Sequence, residues 1–425
     1  MLIQFTVKNW RSIRDEQSVS LVMGIGNEMV DTNTFKPKAP GTPNLLKSMA
    51  VYGPNASGKS NLLSAMKTMQ SLVIKSAQTQ RGDDLQIVPF LLDKDTEQAE
   101  TEFEVIFIAE DTRYQYGFSC NKQRIIQEWL LAYPVKRARK WFTRAWNDEK
   151  QNYTWDMGAS FQGPKQLWQD STRENALFLS TAVQLNSTQL QPIYDWFKKR
   201  LRVANVSGWS PAFTASRCKD LEQHQQILEF LKAADLDIKD VIVESEKLTA
   251  SHLPDDMPED LKTKILADLK DQEMFDIKTV HQSKQGQNIT FDVEDESEGS
   301  QKLFAFAGPW LDSLKNGNIL VIDELHDNLH PKIVQFLVSL FHNVKNNPNN
   351  AQLIFTTHET SILNQDVFRR DQIWFCEKDK EQATKIYPLT DFSPRKDREN
   401  LEASYLAGRY GALPYVKKLQ TVNDD

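Results

Sequence analysis

Gly53-Pro-Asn-Ala-Ser-Gly-Lys-Ser60 is the stretch on which the reading of this chain turns. Its Gly-x-x-x-x-Gly-Lys-Ser spacing binds phosphate when a strand precedes it and a helix follows. Both flanks are present: Asn44 to Tyr52 is strand-like, and Asn61 to Ala77 carries Leu62, Leu63, Met66, Met69 and Val73 at helical spacing. Glycines at 53 and 58 let backbone N–H groups turn inward around phosphate oxygens at a helix N-terminus. The expected nucleotide contacts are therefore Gly53, Asn55, Ala56, Ser57, Gly58, Lys59, Ser60 and Asn61. Lys59 would reach the β- and γ-phosphates of ATP, and Ser60 would ligate Mg²⁺.

A phosphate loop needs acidic partners, and Ile319-Leu-Val-Ile-Asp323-Glu324 supplies them at the end of an apolar strand. Asp323 is expected in the Mg²⁺ shell, and Glu324 is placed to polarise a water attacking the γ-phosphate. One helix earlier, Ser297-Glu-Gly299 opens the helical run Gln301 to Leu314, a second set of backbone donors at a helix N-terminus. One strand later, Gln352 to Thr356 leads to His358. His326 and His330 are spaced i,i+4 like some metal ligands, but they lack the His-Glu-x-x-His order, so zinc is not expected.

Around these motifs the pattern is α/β. Leu2 to Lys8 alternates, Thr101 to Ile108 and Arg113 to Ser119 read as a hairpin, and Ile125 to Tyr133 and Lys140 to Trp146 continue as strands. From Gln191 to about 269 the spacing becomes helical, broken by Pro254 and Pro258. Short apolar strands then alternate with helices from Asn288 to Thr356, which predicts a mostly parallel sheet covered on both faces. The expected organisation is an N-terminal lobe with a β-rich arm at 1–190, a helical insertion at 191–287, a C-terminal lobe at 288–390 and a tail at 391–425.

Composition narrows the classes. With 425 residues, 40% hydrophobic and 26% charged, the chain can bury a large core and is neither disordered nor collagen-like. Apolar runs such as Ile319–Ile322 are strand-sized, and Met1 to Trp10 lacks a secretory pattern, so a cytoplasmic protein without a membrane segment is expected. Cys120, Cys218 and Cys376 form no Cys-x-x-Cys pair, so reduced thiols are expected. A balance of 51 Lys and Arg against 58 Asp and Glu, net −7, argues against general nucleic-acid binding. Lys136-Arg-Ala-Arg-Lys-Trp-Phe-Thr-Arg-Ala-Trp146 interleaves basic residues with aromatics and fits either a nucleic-acid contact or, the favoured reading, an edge strand with a solvated basic face, while Phe197-Lys-Lys-Arg-Leu-Arg202 reads as the polar face of an amphipathic helix.

The order of phosphate loop, Ser-x-Gly, Asp-Glu strand and strand-end histidine resembles the ABC-type ATPase heads of the SMC, Rad50, RecF and OLD groups. Glu324-Leu-His-Asp-Asn-Leu-His-Pro331 is similar to the OLD and bacterial-defence branch, whereas transporter and SMC heads have Ser-Ala-Leu-Asp there. Lys8-Asn-Trp-Arg-Ser12 resembles the Asn-Phe-Arg-Ser element of Rad50-like heads, with Trp10 in place of Phe. That likeness implies Arg11 near the phosphates; read alone, Arg11 is equally an exposed strand-end arginine. Tyr405-Leu-Ala-Gly-Arg-Tyr-Gly-Ala-Leu-Pro414 resembles a tail of the abortive-infection ATPases typified by the RloA and AbiL groups.

The resemblance implies a homodimer or higher homo-oligomer in which ATP is sandwiched between one protomer's phosphate loop and the other's Ser297 and Gly299. Lys59, Glu324 and His358, the last as γ-phosphate sensor, would be the catalytic residues of a slow Mg²⁺-dependent ATPase. The family's metal-contacting glutamine falls at Gln184, after the strand-like Ala176 to Ser180, with Gln70 and Gln86 as alternatives. The segment after His358 has no second acidic cluster of a Toprim nuclease, and no heptad run supports long coiled coils. A separate effector protein, such as a nuclease in an anti-phage system, is the expected partner. The alternatives are a RecF- or Rad50-like DNA-repair ATPase and a non-hydrolysing ATP-bound scaffold.

Overall fold

The computed structural model describes residues 1–204, 209–247, 257–268, 273–396 and 398–415. The chain divides into two compact units, Met1–Ala204 with Leu314–Asp425, and Asn205–Ser313. The junctions expected at 190 and 287 do not coincide with these limits. The first unit is discontinuous because the second is inserted between the phosphate loop and the Asp-Glu strand.

In the first unit, β1 (Leu2–Lys8) and β2 (Gln17–Ser20) extend a seven-stranded antiparallel sheet, and β3 (Thr34–Phe35) pairs with β4 (Leu45–Leu46) in a short ladder. β5 (Ser48–Tyr52) belongs to the second sheet, described below. The antiparallel sheet continues through β6 (Thr101–Ala109), β7 (Thr112–Cys120), β8 (Ile125–Tyr133), β9 (Arg139–Asn147) and β10 (Asn152–Met157), in the order β10-β9-β8-β7-β6-β1-β2. The expected hairpin turns at Glu110 and Asp111, both in the left-handed region.

One expectation fails here. β9 is not an edge strand, since β10 pairs along it from Met157 to Asn152, and Arg144 is fully buried rather than part of a solvated face. Its guanidinium meets Glu128 at 3.0 Å, with both side chains inaccessible. Glu128 also accepts from Tyr116 Oη at 2.9 Å and from the backbone N–H groups of Phe178 and Leu179 at 2.7 and 3.0 Å. That satisfied carboxylate opens a helix at Phe178–Gln184, where the apolar run Ala176 to Ser180 reads as strand by sequence.

The second sheet of this unit joins β5, β11 (Leu201–Val203), β15 (Ile319–Ile322), β16 (Gln352–Thr357), β17 (Ile373–Lys378) and β18 (Thr384–Pro388) in the order β11-β15-β16-β5-β17-β18. All pairs are parallel except β17 with β18. Strands β5 and β15 are buried at every position, which explains the unbroken apolar runs 49–52 and Ile319–Ile322. One hydrophobic core contains Val7, Trp10 and Phe103 from the antiparallel sheet, Val51 and Ile354 from the parallel sheet, and Leu62, Met66 and Met69 from the helix Lys59–Lys75. Each such side chain contributes about 1.5–3 kcal/mol on burial, so the phosphate-loop helix is fixed along its length.

The second unit is not purely helical. Helices Pro211–Arg217 and Leu221–Ala233 occur there, but β12 (Asp240–Lys247), β13 (Glu273–Gln282) and β14 (Asn288–Asp292) form an antiparallel sheet. Val241-Ile242-Val243 is a run of three β-branched residues, a strand signal that the helical reading of this region passed over. Pro254 lies outside the described residues. The helix Glu298–Asn316 begins in this unit, with Leu303 to Trp310 buried throughout.

Candidate nucleotide site

Parallel pairing sets three motifs side by side. β16 lies between β15 and β5, so His358 at its C-terminal end is flanked by Asp323-Glu324 on one side and by the phosphate loop on the other. Residues 299 positions apart in sequence, Lys59 and His358, thus belong to one sheet end.

The loop itself is tightly seated. Gly58 caps the helix at φ 110°, and a Cβ there would lie 2.1 Å from Thr384 Oγ1 and 2.9 Å from Ser12 Oγ. A Cβ on Gly53 would lie 2.2 Å from the Cys376 carbonyl oxygen. Both glycines are therefore required by contact as well as by conformation. The carbonyl of Ser57 accepts from Thr384 Oγ1 at 2.9 Å and from Cys376 Sγ at 3.4 Å. Burial pushes the Cys376 thiol up to about 11, so it serves as a neutral donor. Thr384, Cys376 and Ser12 are supports that the loop motif alone does not reveal.

Lys59 is 5% exposed and donates to the carbonyls of Gly53 at 2.7 Å and Pro54 at 2.9 Å. Burial lowers its pKa, while Cys376, Glu324 and Asp323 act in the opposite sense, which places the acidic pair within electrostatic reach of the ammonium. Ser57 Oγ is buried in the loop and has no hydrogen-bond partner among the described residues. An orphaned hydroxyl beside inward-turned backbone fits a phosphate ligand.

Asp323 and Glu324 are fixed by Thr356 of β16. Thr356 Oγ1 donates to Asp323 Oδ1 at 2.5 Å and accepts from the Glu324 N–H at 2.8 Å, and its carbonyl accepts from Leu325 N at 3.1 Å. Glu324 adopts φ 47°, a left-handed conformation costing about 1 kcal/mol for a non-glycine residue. These bonds hold the strained turn that carries its carboxylate beyond the strand.

Arg11 joins this end of the sheet. Its neighbour Ser12 accepts from Asn61 Nδ2 at 2.7 Å, Trp10 Nε1 donates to Ser64 Oγ at 3.1 Å, and Arg11 N donates to Val88 O at 2.8 Å. Trp10 is thus a buried anchor against the first turns of the phosphate-loop helix, and Arg11 is exposed beside it with its guanidinium 5.3 Å from the indole centroid.

Gln184 is a different matter. Ser180, on its helix, donates to Val73 O, about four turns from Lys59 along the phosphate-loop helix. The structure therefore does not bring Gln184 to the phosphate loop, and its assignment as a metal contact fails. Gln70 is used elsewhere, donating to the carbonyls of Phe197 and Leu201 at 2.8 and 2.6 Å. Exposed Gln86 lies two residues before Val88, the residue that pairs with Arg11.

His330, whose role sequence left open, caps the helix Pro331–His342 by accepting from Lys332 N at 3.2 Å. Among the described residues no group of three or more His, Cys, Asp or Glu could hold a metal ion. In the second unit, Ser297 accepts from Ser300 N at 3.2 Å and from Gln301 N at 2.9 Å, so the Ser-x-Gly turn caps its helix while Ser297 remains exposed. The C-terminal motif also has a place: Tyr405 packs 6.2 Å from Tyr52, the residue before the loop, and stacks 5.3 Å from Phe375 of β17.

A family model described as "AAA domain, putative AbiEii toxin, Type IV TA system" matches residues 48–364. The chain belongs to this AAA family. The match spans both the phosphate loop and the strand-end histidine, so the P-loop ATPase fold inferred from their order is the fold of this AAA protein. Among solved structures, the SMC head domain from Thermotoga maritima is similar at 10% identity over 91% of this chain and 98% of that chain, with a TM-score of 0.39. The recombination mediator RecF with ATP is similar at 14% identity over 91% and 99%, TM-score 0.35. The Smc head with an extended coiled coil bound to the C-terminal domain of ScpA, from Pyrococcus furiosus, is similar at 12% identity over 91% and 95%, TM-score 0.36. No curated protein matches the sequence. No described helix is long and apolar enough to cross a membrane.

Proposed function

We propose that this AAA protein binds and slowly hydrolyses ATP, and that its nucleotide state gates a head-to-head dimer controlling a separate effector in anti-phage defence. The observation that carries the proposal is the gathering of Lys59, Asp323, Glu324 and His358 at the C-terminal ends of β5, β15 and β16. Ser60 and Asp323 would hold Mg²⁺, which would supply charge neutralisation for the phosphates. Lys59 exchanges its two carbonyl partners for phosphate oxygens, and the Ser57 hydroxyl gains the acceptor it lacks. Glu324 orients a water for attack on the γ-phosphorus and takes its proton as ADP departs. His358 contacts the γ-phosphate from the neighbouring strand end.

Dimer gating rests on the Ser-x-Gly turn, whose exposed Ser297 is available to a second protomer's nucleotide. The defence role is supported by the family's description and by the motifs following Glu324. Exposed Lys136, Arg137, Arg139 and Lys140 favour one second reading, a DNA-repair ATPase; salt-dependent DNA binding lost on neutralising these four residues would support it. Light scattering with saturating ATP tests the gating: Glu324→Gln should accumulate as a dimer, and a monomer under those conditions would contradict it.

A further inference from the structure

Sequence places His326 and His358 on different elements, one in the turn after Asp323-Glu324 and the other at the end of β16, yet the fold sets them against each other. Their Nε2 atoms are 3.0 Å apart, and their ring centroids are 3.8 Å apart at an interplanar angle of 69°. Two imidazoles at this separation share one hydrogen, because a neutral ring carries a proton on only one nitrogen. The direction of that bond fixes which nitrogen of His358 remains to donate elsewhere.

We propose that His326 is a positioning residue for His358: it donates from Nε2 and so holds His358 as the Nδ1–H tautomer, with that N–H kept for a phosphate oxygen. The inference rests on the reading of His358 as the γ-phosphate contact. The reverse bond would leave a lone pair on Nδ1, which repels a phosphate. Ring orientation and tautomer are both set before nucleotide arrives, so little reorganisation is required when charge develops on the transferred group. The device is also tied to Glu324, since Thr356 of the same strand end bonds the Asp323-Glu324 turn that leads into His326. One hydrogen-bonded unit thus aligns the water-activating carboxylate and the phosphate contact.

Two measurements separate this idea from the ATPase reading itself. Long-range ¹H–¹⁵N spectra of histidine-labelled protein, with only 7 histidines to assign, report the tautomer without any turnover. His358 should carry its proton on Nδ1 in the wild type and return to the ordinarily preferred Nε2–H form in His326→Ala. An Nε2–H signal for His358 in the wild type would overturn the proposal even if the protein is an active ATPase. In steady-state kinetics, His326→Ala should lower kcat roughly 10-fold with KM for ATP within about twofold. His326→Gln keeps an N–H donor and should recover most of the rate. Equal losses in both variants, or none in either, would refute positioning. A wild type without ATPase would refute the function while the spectra still decide the pairing.

Discussion

The two ends of the parallel sheet use polar residues in opposite ways. At the N-terminal ends of the strands, Ser48, Gln352 and Gln372 are fully buried and bonded to protein. Gln352 accepts from Leu2 N at 2.6 Å and donates to the carbonyls of Leu2 and Leu46 at 3.0 and 3.1 Å, stitching β1 of the antiparallel sheet to the parallel one. Ser48 Oγ meets His342 Nε2 at 2.8 Å and accepts from Gln372 Nε2 at 2.8 Å, while Gln372 Oε1 accepts from Asn33 at 2.8 Å. At the C-terminal ends, Lys59 donates to backbone carbonyls of its own loop, Ser57 Oγ has no hydrogen-bond partner among the described residues, and Glu324 and His358 are exposed. One end is closed on itself and serves stability; the other is left open to a ligand.

That contrast can be broken from either side. The largest effect is expected at the open end. Lys59→Ala should weaken ATP binding by roughly 100-fold or more, the loss of charge-assisted hydrogen bonds, with the urea midpoint little changed. Isothermal titration and denaturation curves on one preparation would show both. At the closed end the dissociation should reverse. Gln352→Leu strands the Leu2 N–H and two carbonyls and should cost about 2–3 kcal/mol of stability, leaving ATP affinity within twofold. A comparable loss of nucleotide binding would show that the two ends are not independent.

A smaller effect sharpens the comparison through pH. Burial, with the charge of Lys47 adding to it, lowers the His342 pKa from 6.5 to about 3. The folded state therefore refuses a proton that the unfolded chain accepts below its ordinary pKa. Stability from this group is complete above about pH 6.5 and is lost as pH falls toward 3; at pH 5 the loss is about 2 kcal/mol. His342→Gln should flatten the fall in urea midpoint between pH 7.5 and 5. An unchanged slope would place the acid sensitivity elsewhere.

The same contrast explains what was legible in sequence. The open end is written in contiguous motifs, because a phosphate loop, a strand with its acids and a strand-end histidine each need neighbouring residues in fixed order. Five strands of the seven-stranded sheet were legible for a related reason, since β1 and β6 to β9 alternate cleanly or lie between evident turns, whereas β2 and β10 were not read and β9 passed for an edge. The closed end was not legible: Ser48, His342, Gln352 and Gln372 gain meaning only from partners far away in sequence. Arg144 shows the limit most clearly. It stands in a basic run and reads as a surface charge, but Glu128 across the sheet makes it a buried ion pair. That same carboxylate turns Phe178–Gln184 into helix and carries Gln184 away from the nucleotide site. His326 escaped for a similar reason: its spacing to His330 suggested one partner, and parallel strand pairing supplied another, His358.

The open end is proposed to be a hydrolytic ATP site with Glu324 as the water-activating group. Phosphate release by wild type and Glu324→Gln, measured at saturating Mg²⁺ and ATP with nucleotide binding followed in parallel, tests it most directly. Bound ATP is expected in both proteins, with a rate in the variant lower by roughly 10²- to 10⁴-fold. Equal release from the two would contradict it.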